Sequence, residues 1–182
     1  SIIALEKCNP NDTVTVSDSV IKQISNWKGS ASINLEAGEK ISVLDLIYSM
    51  MLVSANDSLF ALAEFICGSL DKFAVMMQEK AKSIGAADTT VTTADGRFTA
   101  EQYSNAYDLA IICRYCMTNR MFRTIAATDK YTIPATNKNG SRDLQNTNLL
   151  INSGNRRYRY ETAIGIKSGY TARSKSCLAC SA

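Results

Sequence analysis

Ser54-Ala55-Asn56 and Lys167-Ser168-Gly169 contribute two hydroxyls, a carboxamide and an ammonium to a chain of 182 residues that contains no histidine. These are the polar groups that acyl transfer through serine needs when imidazole is unavailable. A hydroxyl attacks or relays a proton, an ammonium neutralises negative charge, and an amide orients a peptide carbonyl. The missing histidine excludes a Ser-His-Asp triad, a Cys-His dyad and a His-ligated zinc. Any general base must then be Lys, Asp, Glu or Tyr.

Each short pattern has an ordinary alternative. S-x-N occurs three times, at Ser32/Asn34, Ser54/Asn56 and Ser153/Asn155. By itself it describes a turn whose side chains bond the local backbone. Ser54 stands apart because it follows an apolar helical run, residues 42–53, and precedes a second one. Ser153 lies in a polar stretch, residues 152–157, that reads as an exposed loop. Lys167-Ser168-Gly169 is the single K-[ST]-G, inside an apolar strand-like run, residues 163–171. A lysine there is either at an exposed edge or functional, and Gly169 removes a side chain where a ligand backbone can approach. A nucleophilic serine beside a lysine on one helix face would read Ser-x-x-Lys. The three matches are Ser19/Lys22, Ser25/Lys28 and Ser69/Lys72. Ser69 reads as a helix cap, and the other two sit in a polar segment without a buried apolar helix to hold them.

The elements that must position these groups follow from pattern. Residues 2–8 are helical, 13–16 alternate as a strand, and Ser42 with Asp45 makes a capping pair for the helix reaching Val53. Further helices are expected over 57–66, stopped by Gly68; over 70–84 behind the N-cap Ser69; from Ser104 as cap to about 117; and over 120–127. Beyond Lys130, residues 131–133, 149–151, 160–167 and 176–182 read as strands and connections. A helical region of about 40–128 followed by a β-rich end of about 129–182 implies an α+β fold, with helices packed on an antiparallel sheet.

Composition narrows the partners. The length suits one compact domain, and 46% hydrophobic with 20% charged residues is ordinary for a globular protein. A net charge of +3 does not by itself imply nucleic acid. No apolar run reaches the ~18 residues of a membrane helix. Ser1 to Glu6 lack the features of a signal peptide and read as the tail of a helix. Cys113/Cys116 and Cys177/Cys180 form two C-x-x-C pairs, but the first lies in an apolar helix and the second in a strand that turns its thiols to opposite faces. Buried small apolar side chains explain the six cysteines better than a zinc site does, and disulfides stay open.

Residues 29–64, with Ser54-Ala55-Asn56 near their end, closely resemble the serine D-alanyl-D-alanine carboxypeptidases, the low-molecular-mass penicillin-binding proteins (peptidase family S11). The resemblance continues through residues 103–110, 131–133, 146–150, 165–171 and 177–182, nearly the whole chain, with two motifs in family order. It implies a β-lactamase/DD-peptidase-like fold and removal of the terminal D-alanine from peptidoglycan stem peptides through an acyl-enzyme. β-Lactams would be inhibitors, no cofactor or metal is implied, and the location would be the extracytoplasmic face of the bacterial membrane or cell wall. Residues 1–182 would form a partial DD-peptidase domain, with any membrane association through parts not in these residues.

Two departures from the family pattern matter. The usual Lys-Thr-Gly is here Lys-Ser-Gly, which keeps the hydroxyl. The family's Ser-x-x-Lys helix runs into a segment resembling residues 1–7, so the nucleophile and its lysine are expected just upstream, one further strand is expected to be lost, and these 182 residues are expected to be inactive alone. Carried over residue by residue, Ser54 would relay a proton to the leaving amine and Asn56 would hold the substrate's peptide carbonyl. Lys167 would attract the terminal carboxylate and Ser168 would hydrogen-bond it. Gly169 leaves room for the substrate, and the Tyr170 N–H would be half of an oxyanion hole.

Three rival readings remain. A class A-like β-lactamase would need a deacylating glutamate, for which only Glu101 and Glu161 lie between Lys82 and Lys167. A non-catalytic penicillin-binding-fold module would dispense with the nucleophile. Polyanion binding would use the alternating basic and aromatic residues 156–160.

Overall fold

Ser42 closes a strand and caps the helix that leads to the first motif. In the computed structural model, which describes residues 1–27 and 29–182, its Oγ accepts from the Asp45 N–H at 3.0 Å and donates to Asp45 Oδ2 at 2.5 Å. The expected capping pair forms. Behind it, helix α3 (Val43–Val53) follows α1 (Ile2–Lys7) and α2 (Asp18–Ser25) in chain order. Val43, Leu46, Ile47 and Leu52 of α3 are wholly buried, because its apolar residues recur around most of the helix and neighbours surround it. Helix α4 (Asn56–Cys67) packs against α3 through Phe60, Ala61 and Leu62. Gly68 then stops it in the left-handed conformation at φ +84°, which costs glycine nothing.

Helices α5 (Leu70–Ser83), α6 (Ala106–Thr118) and α7 (Arg120–Ala126) complete the described helical part. Three antiparallel pairs accompany it: β1 (Thr13–Thr15) with β2 (Lys40–Ser42), β3 (Lys130–Ile133) with β4 (Arg142–Gln145), and β5 (Gly165–Thr171) with β6 (Lys175–Ser181). The register sets Val14 against Ile41 and Gly169 against Cys177. One core joins residues of α2, α3, α4, α7, β1, β3 and β4 to Ile166 of β5, so the strand carrying the second motif is anchored to the helices. The fold is α+β, as expected, with its strands in three separate antiparallel pairs.

Several local expectations are corrected. Residues 17–28 contain a real amphipathic helix, α2, capped by Ser17 and burying Val20; Val20, Ile21 and Ile24 supply an apolar stripe that the surrounding polar residues disguised. Asn105, not Ser104, caps α6, its Oδ1 accepting from the Asp108 N–H at 2.8 Å. Ser104 instead meets Thr89 Oγ1 at 2.9 Å. Residues 149–151 and 160–164 form turns and irregular chain; the 149–151 segment is held by Asn148, whose Oδ1 takes the Leu150 N–H. Cys177 and Cys180 are exposed. Of β6 only Ala179 packs against the core, so the hairpin is covered over part of one face.

Glu39, fully buried, ties the β1–β2 pair to the chain around β4. It accepts from Arg142 Nη2 at 2.7 Å, Thr136 Oγ1 at 2.8 Å, Asn139 Nδ2 at 3.0 Å and the Glu36 N–H at 3.0 Å. Burial alone raises its pKa, but these donors outweigh burial and hold it below the ordinary 4.5. Its folded pKa being depressed, its stabilisation is present above pH 4.5 and lost as pH falls through the lower folded value. Glu39→Gln should cost about 3 kcal/mol at pH 7. Urea melts should show that gap narrowing below pH 4.5; a gap independent of pH would contradict the charge-assisted reading.

Candidate active site

Helix α3 ends at Val53 and α4 starts at Asn56, so the chain turns a tight corner at Ser54-Ala55. Ser54 takes φ 59°, ψ 34°, a left-handed conformation uncommon for a residue with a side chain. The Ala55 N–H closes the corner on the Ser49 carbonyl at 3.2 Å. Behind it, Ser49 Oγ and Ser58 Oγ lie 2.7 Å apart, joining the two helices. The Asn56 N–H donates to the Ala31 carbonyl at 2.8 Å.

Asp57, 1% exposed, fastens the segment opposite. Its carboxylate accepts from Ser32 Oγ at 2.6 Å, from the N–H groups of Ile33 and Leu35 at 3.1 and 3.0 Å, and from the Ser58 N–H at 2.9 Å. The chain at 31–35 is thereby folded against the start of α4. Sequence reasoning missed this residue, because an acid in the first turn of a helix is the commonest macrodipole partner and carries no other mark.

Lys167 reaches this corner from β5. Its ammonium donates to Ser54 Oγ and, at 2.7 Å, to the Ser168 carbonyl. Ser168 Oγ lies 3.3 Å from Thr147 Oγ1, which donates to the Leu52 carbonyl at 3.0 Å. A carbonyl only accepts, so the Thr147 proton is committed and Ser168 is the donor toward Thr147. Thr147 thus links β5 to the end of α3, a role visible beforehand only as part of the resembling segment 146–150.

All six residues singled out from the two motifs, Ser54, Asn56, Lys167, Ser168, Gly169 and Tyr170, line one cleft of ≈ 1360 Å³. A Cβ on Gly169 would meet no protein atom within 4 Å, so the glycine leaves open room. Tyr170 lines the same cleft and is 72% exposed. Among the described residues the one acidic side chain lining the cleft is Asp95, whose Oδ2 lies 2.9 Å from Arg97 Nε, an ion pair without an aligned hydrogen bond. Burial, unopposed by any carboxylate, pushes Lys167 down to about 8. An ammonium held there has two neutral acceptors and attracts an anion.

The other matches stay apart from the cleft. Ser19 Oγ accepts from Gln23 Nε2, Ser25 Oγ donates to the Lys22 carbonyl, and Ser69 Oγ accepts from the Lys72 N–H. None of these serines lines it; Lys28 lies outside the described residues. Ser32 is held by Asp57 and its Oγ takes the Asn34 N–H, and Asn155 Oδ1 accepts from the Tyr158 N–H, so both remaining S-x-N patterns serve local backbone.

The family model for D-alanyl-D-alanine carboxypeptidase, peptidase S11, matches residues 2–182. The chain belongs to that family. It is 34% identical over 155 residues to the D-alanyl-D-alanine carboxypeptidase DacF of Bacillus subtilis, covering 85% of this chain and 38% of the relative. It is 31% identical over 187 aligned residues to the D-alanyl-D-alanine carboxypeptidase of Streptomyces sp. K15, covering 97% of this chain and 62% of the relative. The crystal structure of the Streptomyces K15 DD-transpeptidase superposes with a TM-score of 0.85 at 28% identity, over 98% of this chain and 70% of that one. An evolved putative penicillin-binding protein homolog, Rv2911, from Mycobacterium tuberculosis gives 0.83 at 28% identity, over 96% and 62%. The family chain is thus spanned only in part, 38% of the Bacillus protein and 62% of the Streptomyces protein.

Proposed function

We propose that these residues carry the orienting and charge-neutralising half of a serine D-alanyl-D-alanine carboxypeptidase site. Its substrate would be a peptidoglycan stem peptide ending in D-Ala-D-Ala, met on the extracytoplasmic face of a bacterial cell. The observation that carries the reading is the contact of the Lys167 ammonium with Ser54 Oγ, which unites the two motifs from elements 113 residues apart. Lys167 attracts the terminal carboxylate, and Ser168 turns its proton from Thr147 to that carboxylate. Asn56 holds the penultimate peptide unit, and Gly169 leaves space for it. Because Ser54 accepts from Lys167, its own proton is free to point into the cleft and pass to the leaving D-alanine nitrogen; Lys167, down at about 8, then replaces it with little cost. The Tyr170 N–H is one half of the oxyanion hole.

Attack belongs to a serine with its lysine partner outside these 182 residues, forming the acyl-enzyme that water hydrolyses and that β-lactams trap. No Ser-x-x-Lys serine lies in the cleft, which supports that division. The β-lactamase alternative loses support because Glu101 and Glu161 are exposed and neither lines the cleft. Incubation of this chain with a fluorescent penicillin should leave no covalent label after denaturation, whereas a protein with the preceding Ser-x-x-Lys helix should be labelled. A covalent adduct on these 182 residues would contradict the assignment.

A further inference from the structure

Two hydroxyls are buried completely where α3 packs on α4. Ser49 and Ser58 lie in the same core as Leu46, Leu52, Ala61 and Leu62 of those helices. A hydroxyl taken from water into apolar surroundings is costly unless it is hydrogen-bonded. Alanine at both positions would fill nearly the same space without that cost, so packing alone does not account for the pair. Ser49 Oγ reaches two acceptors, the Leu46 carbonyl at 2.8 Å and Ser58 Oγ at 2.7 Å. Among the described residues the second contact is the one side-chain hydrogen bond between α3 and α4.

The backbone of Ser49 also shapes the end of α3. Its carbonyl accepts from the Ser54 N–H and, at 3.2 Å, from the Ala55 N–H, so it fixes the turn in which Ser54 stands at φ 59°. A residue with a side chain keeps that left-handed conformation only where its surroundings hold it there. Ser58 is equally close to the other half of the motif, two residues beyond Asn56. Its N–H donates to Asp57 Oδ1 at 2.9 Å, and Asp57 takes the N–H groups of Ile33 and Leu35. The hydroxyl contact therefore completes a continuous path from Lys167 through Ser54, Ser49 and Ser58 to Asp57.

We propose that Ser49 and Ser58 are positioning residues, whose hydroxyl contact sets the spacing between the α3 end that presents Ser54 and the α4 start that presents Asn56. The proposal rests on the function assigned above and adds to it two residues that do not line the cleft. A tie that only cements the core changes stability. One that positions the corner changes the site even where stability is kept.

Three variants separate these roles. Ser49→Ala leaves the Ser58 hydroxyl buried without a partner and should lower the melting temperature by about 5 °C. Ser58→Ala leaves Ser49 bonded to the Leu46 carbonyl and should cost less. The double variant strands neither group and should melt within about 2 °C of the wild type. That double variant should nonetheless bind an N-acetylated peptide ending in D-Ala-D-Ala about tenfold more weakly in titration calorimetry, because the corner is no longer held in place. In the ligand-free double variant the Lys167 titration, followed by NMR, should move from about 8 toward the ordinary 10.5 as water reaches the loosened corner. Ile133→Val thins the buried core at β3 away from the cleft and should lower stability while leaving both site readouts in place. A double variant with wild-type affinity and wild-type Lys167 titration overturns the proposal. So does one that melts as low as Ser49→Ala, or a control that weakens the peptide equally. A wild-type chain that binds no peptide removes the assigned function; the ligand-free titration then decides the tie alone, standing if the double variant moves it and falling if not.

Discussion

Replacing Lys167 by methionine should weaken binding of a D-Ala-D-Ala peptide on the order of 100-fold while making the protein more stable. The binding loss follows from removing a partly buried ammonium that would face the ligand carboxylate, a truncation that costs several kcal/mol in comparable pairs. The gain in stability follows from the absence of any carboxylate beside it: burial drives Lys167 down to about 8, so the fold carries an uncompensated charge at neutral pH. Because the folded pKa lies below the ordinary 10.5, the unfolded chain binds more protons between about pH 8 and 10.5. The wild-type stability should therefore rise across that interval and be flat just below it. Calorimetry at pH 7 should show Lys167→Met gaining about 1–3 kcal/mol, with the advantage fading above pH 8. Stability lost at pH 7 would mean that the contacts with Ser54 and Ser168 outweigh desolvation. A residue kept at such a cost is the signature of a site rather than of a core.

Asp57→Ala should be the most damaging single change near the site, at about 3–5 kcal/mol. It strands the buried N–H groups of Ile33 and Leu35 together with the Ser32 hydroxyl, none of which has another strong partner nearby. The segment 31–35 would then loosen from the start of α4, and with it the Ala31 carbonyl that holds the Asn56 N–H. Peptide affinity should fall together with stability. Asp71 provides the comparison, as an exposed acid at the equivalent first turn of α5. Asp71→Ala should cost only about 0.3–1 kcal/mol, the value of a macrodipole interaction. Similar losses in the two variants, read from urea unfolding, would contradict the role given to Asp57.

Most of this arrangement was legible in the residues, for identifiable reasons. Ser42 with Asp45, Gly68 and Ser69 mark helix ends through local chemistry, and each forms where the pattern placed it. The two motifs were found because a polar break between apolar helices, or a lysine in an apolar strand, is costly enough to stand out. What was not legible depends on contacts remote in sequence. Asp57 matters through residues 32–35 and Thr147 through Leu52 and Ser168; no local pattern records such pairs. The misplaced strand at 149–151 has a local origin: Asn146 and Asn148 side chains capture the backbone in turns first. At 160–164 the Tyr160 N–H goes to the remote Leu150 carbonyl and the Ala163 N–H turns back to Tyr160.

The most direct test of the assigned site is the titration of Lys167 itself, followed by NMR of its Nζ in the free chain and with a saturating N-acetylated peptide ending in D-Ala-D-Ala. The free ammonium should titrate near 8. The peptide should move that titration upward by neutralising the buried charge, whereas the same peptide with its C-terminal carboxyl amidated should not. A Lys167 titration that is already at the ordinary 10.5 in the free chain, or that is indifferent to the peptide carboxylate, would contradict the placing of the D-alanine terminus at this lysine.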